Sequence, residues 1–267
     1  MGTRELKRFA QHPHTRRAGA RFSGSHAIAS SIMSVLSLAA AASWAGHTVP
    51  PVVSTAVNSL QDSSSWSGYG VTGNSFTDVQ GTFTVPSIGA GSQCDKEMLS
   101  EWVGIDGLDN HDLIQAGISE LMQGGCTQDD VVLYAWWEIL PAPNTMISSI
   151  DVSPGDTISV HIYRWLRQTW EIRVADETTG QAFSVLEQYK GAAASAEWIV
   201  EAPTLTSTCN GTCPLAPYYP EIEFSNVGFS GNAQQLREIT MYQAGSRVST
   251  PSALYGTGSD FFTSYGN

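Results

Sequence analysis

The sequence predicts an all-β protein built as an antiparallel sandwich of two sheets, and three observations carry that expectation. Short stretches alternate apolar and polar residues with a period of two: Val79, Gly81, Phe83 and Val85 in TDVQGTFTV, Ile158, Val160 and Ile162 in TISVHIYR, and Trp170, Ile172 and Val174 in QTWEIRVA. Turn residues punctuate them, since Pro86 stops the first, Pro154-Gly155-Asp156 precedes the second and Thr178-Thr179-Gly180 follows the third. No stretch carries a sustained apolar stripe of helical period with caps at its ends. With 267 residues, 42% of them apolar and only 14% charged, the chain can bury one sizeable core, which excludes a disordered chain and a coiled coil.

In chain order, the first element is a basic head. Arg4, Lys7, Arg8, Arg16, Arg17 and Arg21 are interrupted by the single acid Glu5, and the uncharged stretch AIASSIMSVLSLAAAASWA follows and ends in small residues. This is the order of a secretory n-region, h-region and cleavage site, so residues 1–45 read as a signal segment and the chain as a secreted, extracellular protein. Serines dilute the apolar stretch, and Gly46, Pro50 and Pro51 interrupt it, which disfavours a membrane anchor. Residues 46–62 are polar, Pro-bearing and without period, and read as a spacer or short pro-segment. The sandwich domain is then 63–267. Within it TISVHIYR and QTWEIRVA form a meander, while the apolar runs MLSEWVGI, LIQAGI, VVLYAWWEIL and AEWIV suit strands buried on both faces. Ser87 to Lys96 and Pro203 to Pro220 read as excursions that border a cleft.

Beyond residue 45 the chain carries 7 basic against 24 acidic side chains, a net charge of −17. Such a surface repels phosphate backbones and anionic lipid heads, so neither nucleic acid nor, after signal removal, a membrane is an expected partner. A monomer is the default. Crowded carboxylates repel one another at neutrality and are relieved by partial protonation, so the thermal midpoint is expected not to fall between about pH 7 and pH 4. Four cysteines, Cys94, Cys126, Cys209 and Cys213, in an exported chain read as two disulfides. Their pairing is open, although the turn-prone Asn210-Gly211-Thr212 brings Cys209 and Cys213 together and leaves Cys94 for Cys126.

Most catalytic sets are missing. There is no HExxH, no GxSxG and no Asp-Thr-Gly or Asp-Ser-Gly pair. His161 falls inside an alternating strand and His111 in an Asp-rich turn, neither with a distinctive serine, and oxidised cysteines supply no thiolate. No cofactor is expected, nor a metal: paired CxxC spacings are absent, and Asp109, Asp112, Asp129 and Asp130 lack the EF-hand spacing. Carboxylate chemistry remains, with amides and aromatics as helpers.

Here the sequence becomes specific. EWVGIDGLDNHDLIQAG (101–117), YAWWEILP (134–141) and AEWIVEAP (196–203), preceded by SSWSGYGV and by FTDVQGTFTVP, resemble in the same order the blocks of the eqolisin family, the glutamic peptidases. The resemblance spans most of residues 63–203. It implies a β-sandwich of two curved antiparallel sheets, a concanavalin-like jelly roll, with the site in its concave face. It also implies a secreted, acid-acting endopeptidase whose catalytic glutamine and glutamate match Gln115 and Glu197 and whose partners are polypeptide substrates. Trp66, Trp102, Asp106, Trp136 and Glu138 lie in the matching blocks as candidate substrate-binding residues. The block between Val85 and Trp102, with Cys94 and several charges, departs from the family pattern, as does the Cys-bounded loop after the catalytic strand.

The chemistry suits the pair. A glutamate with an ordinary pKa near 4.3 can take a proton from an attacking water in mild acid and return it to the leaving amine. A glutamine does not titrate, so its N–H remains available to an oxyanion at any working pH. Each residue has a plainer reading: Gln115 and Glu197 as ordinary strand polar groups, the tryptophans as core and Asp106 as a turn former. Trp136 and Trp137 face opposite ways on a strand, and the sequence does not say which faces the site. The competing function is a carbohydrate-binding or glycan-hydrolysing sandwich, for which Glu138 and Glu197 are the one carboxylate pair to consider.

Overall fold

Two long strands organise the fold. The computed structural model describes residues 59–205 and 209–266. The signal segment expected at 1–45 and most of the spacer expected at 46–62 lie outside the described residues. Seventeen strands follow one another: β1 (Ser59–Ser63), β2 (Trp66–Thr84), β3 (Ser87–Ile88), β4 (Met98–Ile105), β5 (Ile114–Met122) and β6 (Val131–Ile139). Next come β7 (Thr145–Met146), β8 (Thr157–Leu166), β9 (Thr169–Asp176), β10 (Gln181–Gln188), β11 (Ser195–Glu201) and β12 (Thr204–Leu205). The last are β13 (Gly211–Thr212), β14 (Tyr218–Tyr219), β15 (Ile222–Gln243), β16 (Ser246–Pro251) and β17 (Phe261–Tyr265).

The first half of β2 pairs with β11, its second half with β8, and β15 runs antiparallel beside almost all of it. One end of this ribbon therefore continues into the series β11-β4-β5-β6-β7, the other into the meander β8-β9-β10. Breaks in register at Ser225/Gly228, Ser230/Asn232 and Ala233/Gln235 let β15 bend between the two layers. The two expected layers are thus parts of one hydrogen-bonded network of thirteen strands. Its pairings are antiparallel apart from β1, which lies parallel to β15 and starts inside the segment read from sequence as spacer. No helix among the described residues is long and apolar enough to cross a membrane.

The core lies where the inward faces meet, on Val79, Phe83, Val103, Ile118, Val160, Ile172, Trp198 and Phe224. Apolar residues at period two on successive strands put one continuous surface out of water, at about 25 cal/mol per Å2 of apolar area. The opposite face of β4, β5 and β11 is buried as well, under a smaller cluster of Trp102, Leu113, Trp136, Ile199 and Ile239. That second cover explains why MLSEWVGI is buried along its whole length. Cys94 bonds to Cys126 and Cys209 to Cys213. The second disulfide closes the β12–β13 hairpin, in which Thr204 faces Thr212. The two expected excursions meet each other, since β3 pairs with β14.

Candidate active site

Directly opposed residues on neighbouring strands point to the same face, so register alone builds the site. Glu138 on β6 opposes Gln115 on β5, Gln115 opposes Gly104 on β4, Gly104 opposes Glu197 on β11, and Glu197 opposes Gly70 on β2. Five strands thus contribute one lateral row, with Gln115 and Glu197 flanking a glycine. Two interstrand steps of about 4.8 Å separate their Cα atoms by roughly 10 Å. Gly104 leaves the space between them open, and a Cβ there would stand 3.0 Å from Trp102 Cζ3 and 3.2 Å from Gln115 Cβ.

Two residues along each strand, a second row on the same face holds Trp136, Gly117, Trp102 and Ile199. A third holds Tyr134, Ser119, Ser100, Glu201 and Trp66. Trp136 is therefore the member of the tryptophan pair that faces the site, and Trp137 packs against the main core. Trp66 and Trp102 meet edge to face, with ring centroids 5.1 Å apart. These rows floor a cavity of about 320 Å3 whose wall includes Trp66, Gln115, Tyr134, Trp136, Glu138 and Glu201, with Pro203 to Leu205 across from them.

The polar contacts assign each side chain a distinct environment. Gln115 Nε2 donates to Glu138 Oε2 at 2.7 Å, whereas Gln115 Oε1 has no partner among the described residues. Glu197 is 0% exposed and neither of its oxygens has a hydrogen-bond partner among the described residues. Burial drives its carboxyl well above the usual carboxylate range; the nearby Ser195 hydroxyl partly counters this, and the charges of Asp106 and Asp109 add to it. Burial also raises Glu138, against the amide of Gln115 and the backbone N–H of Asn144. Glu201 is pushed up to about 7 by burial, against the indole N–H groups of Trp102 and Trp66, with Glu138 raising it further. Its bond from Trp102 Nε1 is 2.6 Å long.

Asp106 sits elsewhere. It follows β4 with φ of 71°, is fully buried, and does not line the cavity. Its carboxylate accepts from the Tyr189 hydroxyl (2.5 Å), the backbone N–H groups of Ala193 and Ala194 (2.8 Å each) and the Asn110 amide (2.9 Å). These bonds tie the turn after β4 to the segment that leads into β11, and so fix where Glu197 begins its strand. Among the described residues no group of three or more His, Cys, Asp or Glu could hold a metal ion.

Sequence reasoning singled out Gln115, Glu197, Glu138 and the three tryptophans, which the strand register brings to one face, but passed over Glu201, Tyr134 and the facing Ser100 and Ser119. A signal existed for Glu201: it stands four residues after Glu197, and an even offset on a strand keeps the same face. The wall from Pro203 to Leu205 had only its excursion as a signal.

A model of the Peptidase A4 family matches residues 64–260. The chain belongs to that family. Aspergillopepsin-2 of Aspergillus niger is 33% identical over 163 residues, 52% of this chain and 56% of the relative. Scytalidopepsin B of Scytalidium lignicola is 28% identical over 180 residues, 65% of this chain and 66% of the relative. The chain thus spans between just over half and about two thirds of these relatives' length. A solved scytalido-glutamic peptidase bound to a transition state analog inhibitor shares the fold, with a TM-score of 0.64 at 24% identity over 76% of this chain and 98% of that one. Membership of the Peptidase A4 family bears out the eqolisin resemblance carried by the WVGIDG, IQAG and AEWIV blocks, and with it the β-sandwich.

Proposed function

We propose that this chain is a secreted acid endopeptidase that hydrolyses peptide bonds of proteins with Glu197 as general acid/base, Gln115 as oxyanion donor and no covalent intermediate. The observation that carries the reading is the single row in which Gln115 and Glu197 flank Gly104 on one sheet face. A water and a scissile carbonyl over Gly104 lie within reach of both. Ionised Glu197 takes a proton from the water as its oxygen attacks the carbonyl carbon. Burial holds Glu197 protonated in the closed molecule, entry of water and peptide relieves that penalty, and the carboxylate so formed takes the proton readily. Gln115 has two amide N–H groups, one held by Glu138, and the other serves the oxyanion. Its unpartnered Oε1 is an acceptor for the water's remaining hydrogen. Glu197 then returns the proton to the leaving amine, the C–N bond breaks, and the carboxylate is restored.

In this reading Glu138 orients Gln115, and Trp66 and Trp136 form the apolar floor for the peptide, while Trp102, expected from sequence to touch substrate, is fully buried and supports Trp66 edge to face. Asp106 positions the Glu197 strand rather than touching substrate. The matched relatives are named as pepsins, and a structural neighbour was solved with a transition state analog inhibitor, which accords with peptide hydrolysis. The glycosidase reading is disfavoured: Glu138 and Glu197 stand three interstrand steps apart with Gln115 between them, roughly 14 Å between Cα atoms, where a retaining pair needs its carboxyls about 5 Å apart.

The test is digestion of an unfolded protein at about pH 2 to 5 by the purified chain, with pepstatin present to exclude an aspartic peptidase, beside Glu197→Gln and Gln115→Ala. Cleavage should vanish in Glu197→Gln and fall by about 10²- to 10³-fold in Gln115→Ala, the cost of one oxyanion donor. Undiminished cleavage by Glu197→Gln would falsify the assignment.

A further inference from the structure

Leu108, in the turn between β4 and β5, lies over Gly70 at the Glu197 end of the row just described. Leu108 Cδ1 would lie 2.5 Å from a Cβ on Gly70, the residue opposite Glu197, so this leucine occupies the space that a side chain at 70 would take. Leu108 packs with the cluster of Trp102, Ile199 and Ile239 on the same face. Arg237 opposes Gly70 on β15, and its guanidinium grips Asp109 with both forks, Nη1 to Oδ1 at 2.8 Å and Nη2 to Oδ2 at 2.6 Å. It also reaches Gln235 Oε1 at 3.2 Å and Gln61 Oε1 at 3.5 Å.

We propose that residues 107–112 are a lid over Glu197, latched by Asp109 and Arg237, and that a polypeptide reaches this carboxyl only when the lid has lifted. The proposal rests on the reading of Glu197 as the general acid/base. Water cannot touch a carboxyl of zero exposure, yet the proposed reaction delivers one to it. The cavity that accommodates Gln115, Glu138 and Glu201 ends short of Glu197.

The turn has a fixed side and a loose side. Asp106 is held by four hydrogen bonds and Leu113 is buried. Between them the loop is anchored by Leu108, by the Asn110 amide on Asp106 and by an ion pair whose aspartate side chain is 56% and arginine side chain 19% exposed. Gly107, next to the fixed Asp106, has φ of 115°, a region open to glycine, and so can absorb a change of direction. The fork fixes the geometry of the pair while solvent at the half-exposed aspartate screens it, and a latch of that modest strength suits a lid that must open at every turnover. Asp109 and Arg237 are thus positioning residues that act on the reaction through Leu108.

Labelling of Glu197 by a water-soluble carbodiimide with an amine nucleophile, read by peptide mass mapping on the folded chain, measures how often the lid is open. Asp109→Asn and Arg237→Gln should label Glu197 about two- to fivefold faster than wild type, with thermal midpoints retained, the range expected for an exposed ion pair. Arg237→Lys should lie between them and wild type. The charge-exchanged double variant, Asp109→Arg with Arg237→Asp, should restore the slow rate, and about 1 M salt should speed the wild type and leave the single variants unchanged. The kcat/KM on a short peptide should rise with the labelling rate. Equal labelling in wild type and both single variants overturns the lid, as does failure of the exchanged pair to restore protection. Full cleavage by Glu197→Gln with labelling as expected overturns the reaction and leaves the lid standing.

Discussion

Glu101 and Glu120 make the sharpest prediction about stability. Both project from the site-bearing sheet into the core, Glu101 opposite Ile118 and Glu120 opposite Leu99, so they are diagonal neighbours on adjacent strands. Both are 0% exposed, and neither finds a hydrogen-bond partner outside the pair among the described residues. Two buried carboxylates side by side repel each other and have lost their water, so the folded state retains at least one proton between them. Burial, the charge of Glu120 and its hydrogen bond raise Glu101, and Tyr218 is a further ionisable group affected by Glu101. Burial pushes Glu120 from 4.5 to about 8.

Both carboxyls are raised, so above about pH 4.5 the folded chain binds at least one more proton than the unfolded chain, and stability must fall as pH rises. The share of Glu120 alone is complete below about pH 4.5 and declines by about 1.4 kcal/mol per pH unit up to about pH 8, a loss of about 5 kcal/mol to which Glu101 adds in the same direction. For a domain of this size that is a thermal midpoint lower by about 10 to 20 °C. Glu120→Gln replaces the shared proton by a permanent amide donor and should remove about one proton's worth of slope. Urea unfolding followed by tryptophan fluorescence from pH 4 to pH 9 reads both curves. A wild-type curve that is flat or rises between pH 5 and pH 8, or a Glu120→Gln curve as steep as wild type, refutes the buried shared proton.

Two further outcomes follow from the site. Gly104→Ala places a methyl 3.0 Å from Trp102 Cζ3 and 3.1 Å from the Ile114 carbonyl, between Gln115 and Glu197; the fold should survive with a cost of about 1 to 3 kcal/mol, while kcat falls about 10- to 100-fold in a peptide-cleavage assay. Glu201→Gln retains an acceptor for Trp102 and should cleave as wild type in acid, where Glu201 is already neutral, whereas Glu201→Ala strands the indole N–H and should lower the unfolding free energy by about 1 to 3 kcal/mol in denaturant titrations.

Alternation and turn chemistry made the meander and the Gly-, Pro- and Asp-bounded strands legible, because those signals are local. Cross-strand partnership is not local. Trp136 could be separated from Trp137 only by the register that sets it opposite Gly117. In EWVGI, polarity suggests that the glutamate faces out and the tryptophan in, yet Glu101 enters the core and Trp102 faces the site. Both faces of β4 are covered, so polarity has no preference to express there. Asp106 was legible both as a turn residue and as a member of the catalytic block, and its hydrogen bonds favour the first. The short strand Ser59–Ser63, four polar residues around an exposed Leu60, carries no period in its sequence and finds its place only beside β15.

The central ribbon has a consequence for biogenesis. The stretch from Gly68 to Phe83 pairs along one edge with β11 and β8, and along its other edge with the stretch from Phe224 to Ile239, well over a hundred residues later. A nascent chain therefore exposes an unsatisfied edge until residues 224–239 have emerged, and ring closure across so long a contour makes acquisition of the native topology slow. Truncation just before residue 222 should consequently cost far more than one strand, because both layers lose the partner that joins them.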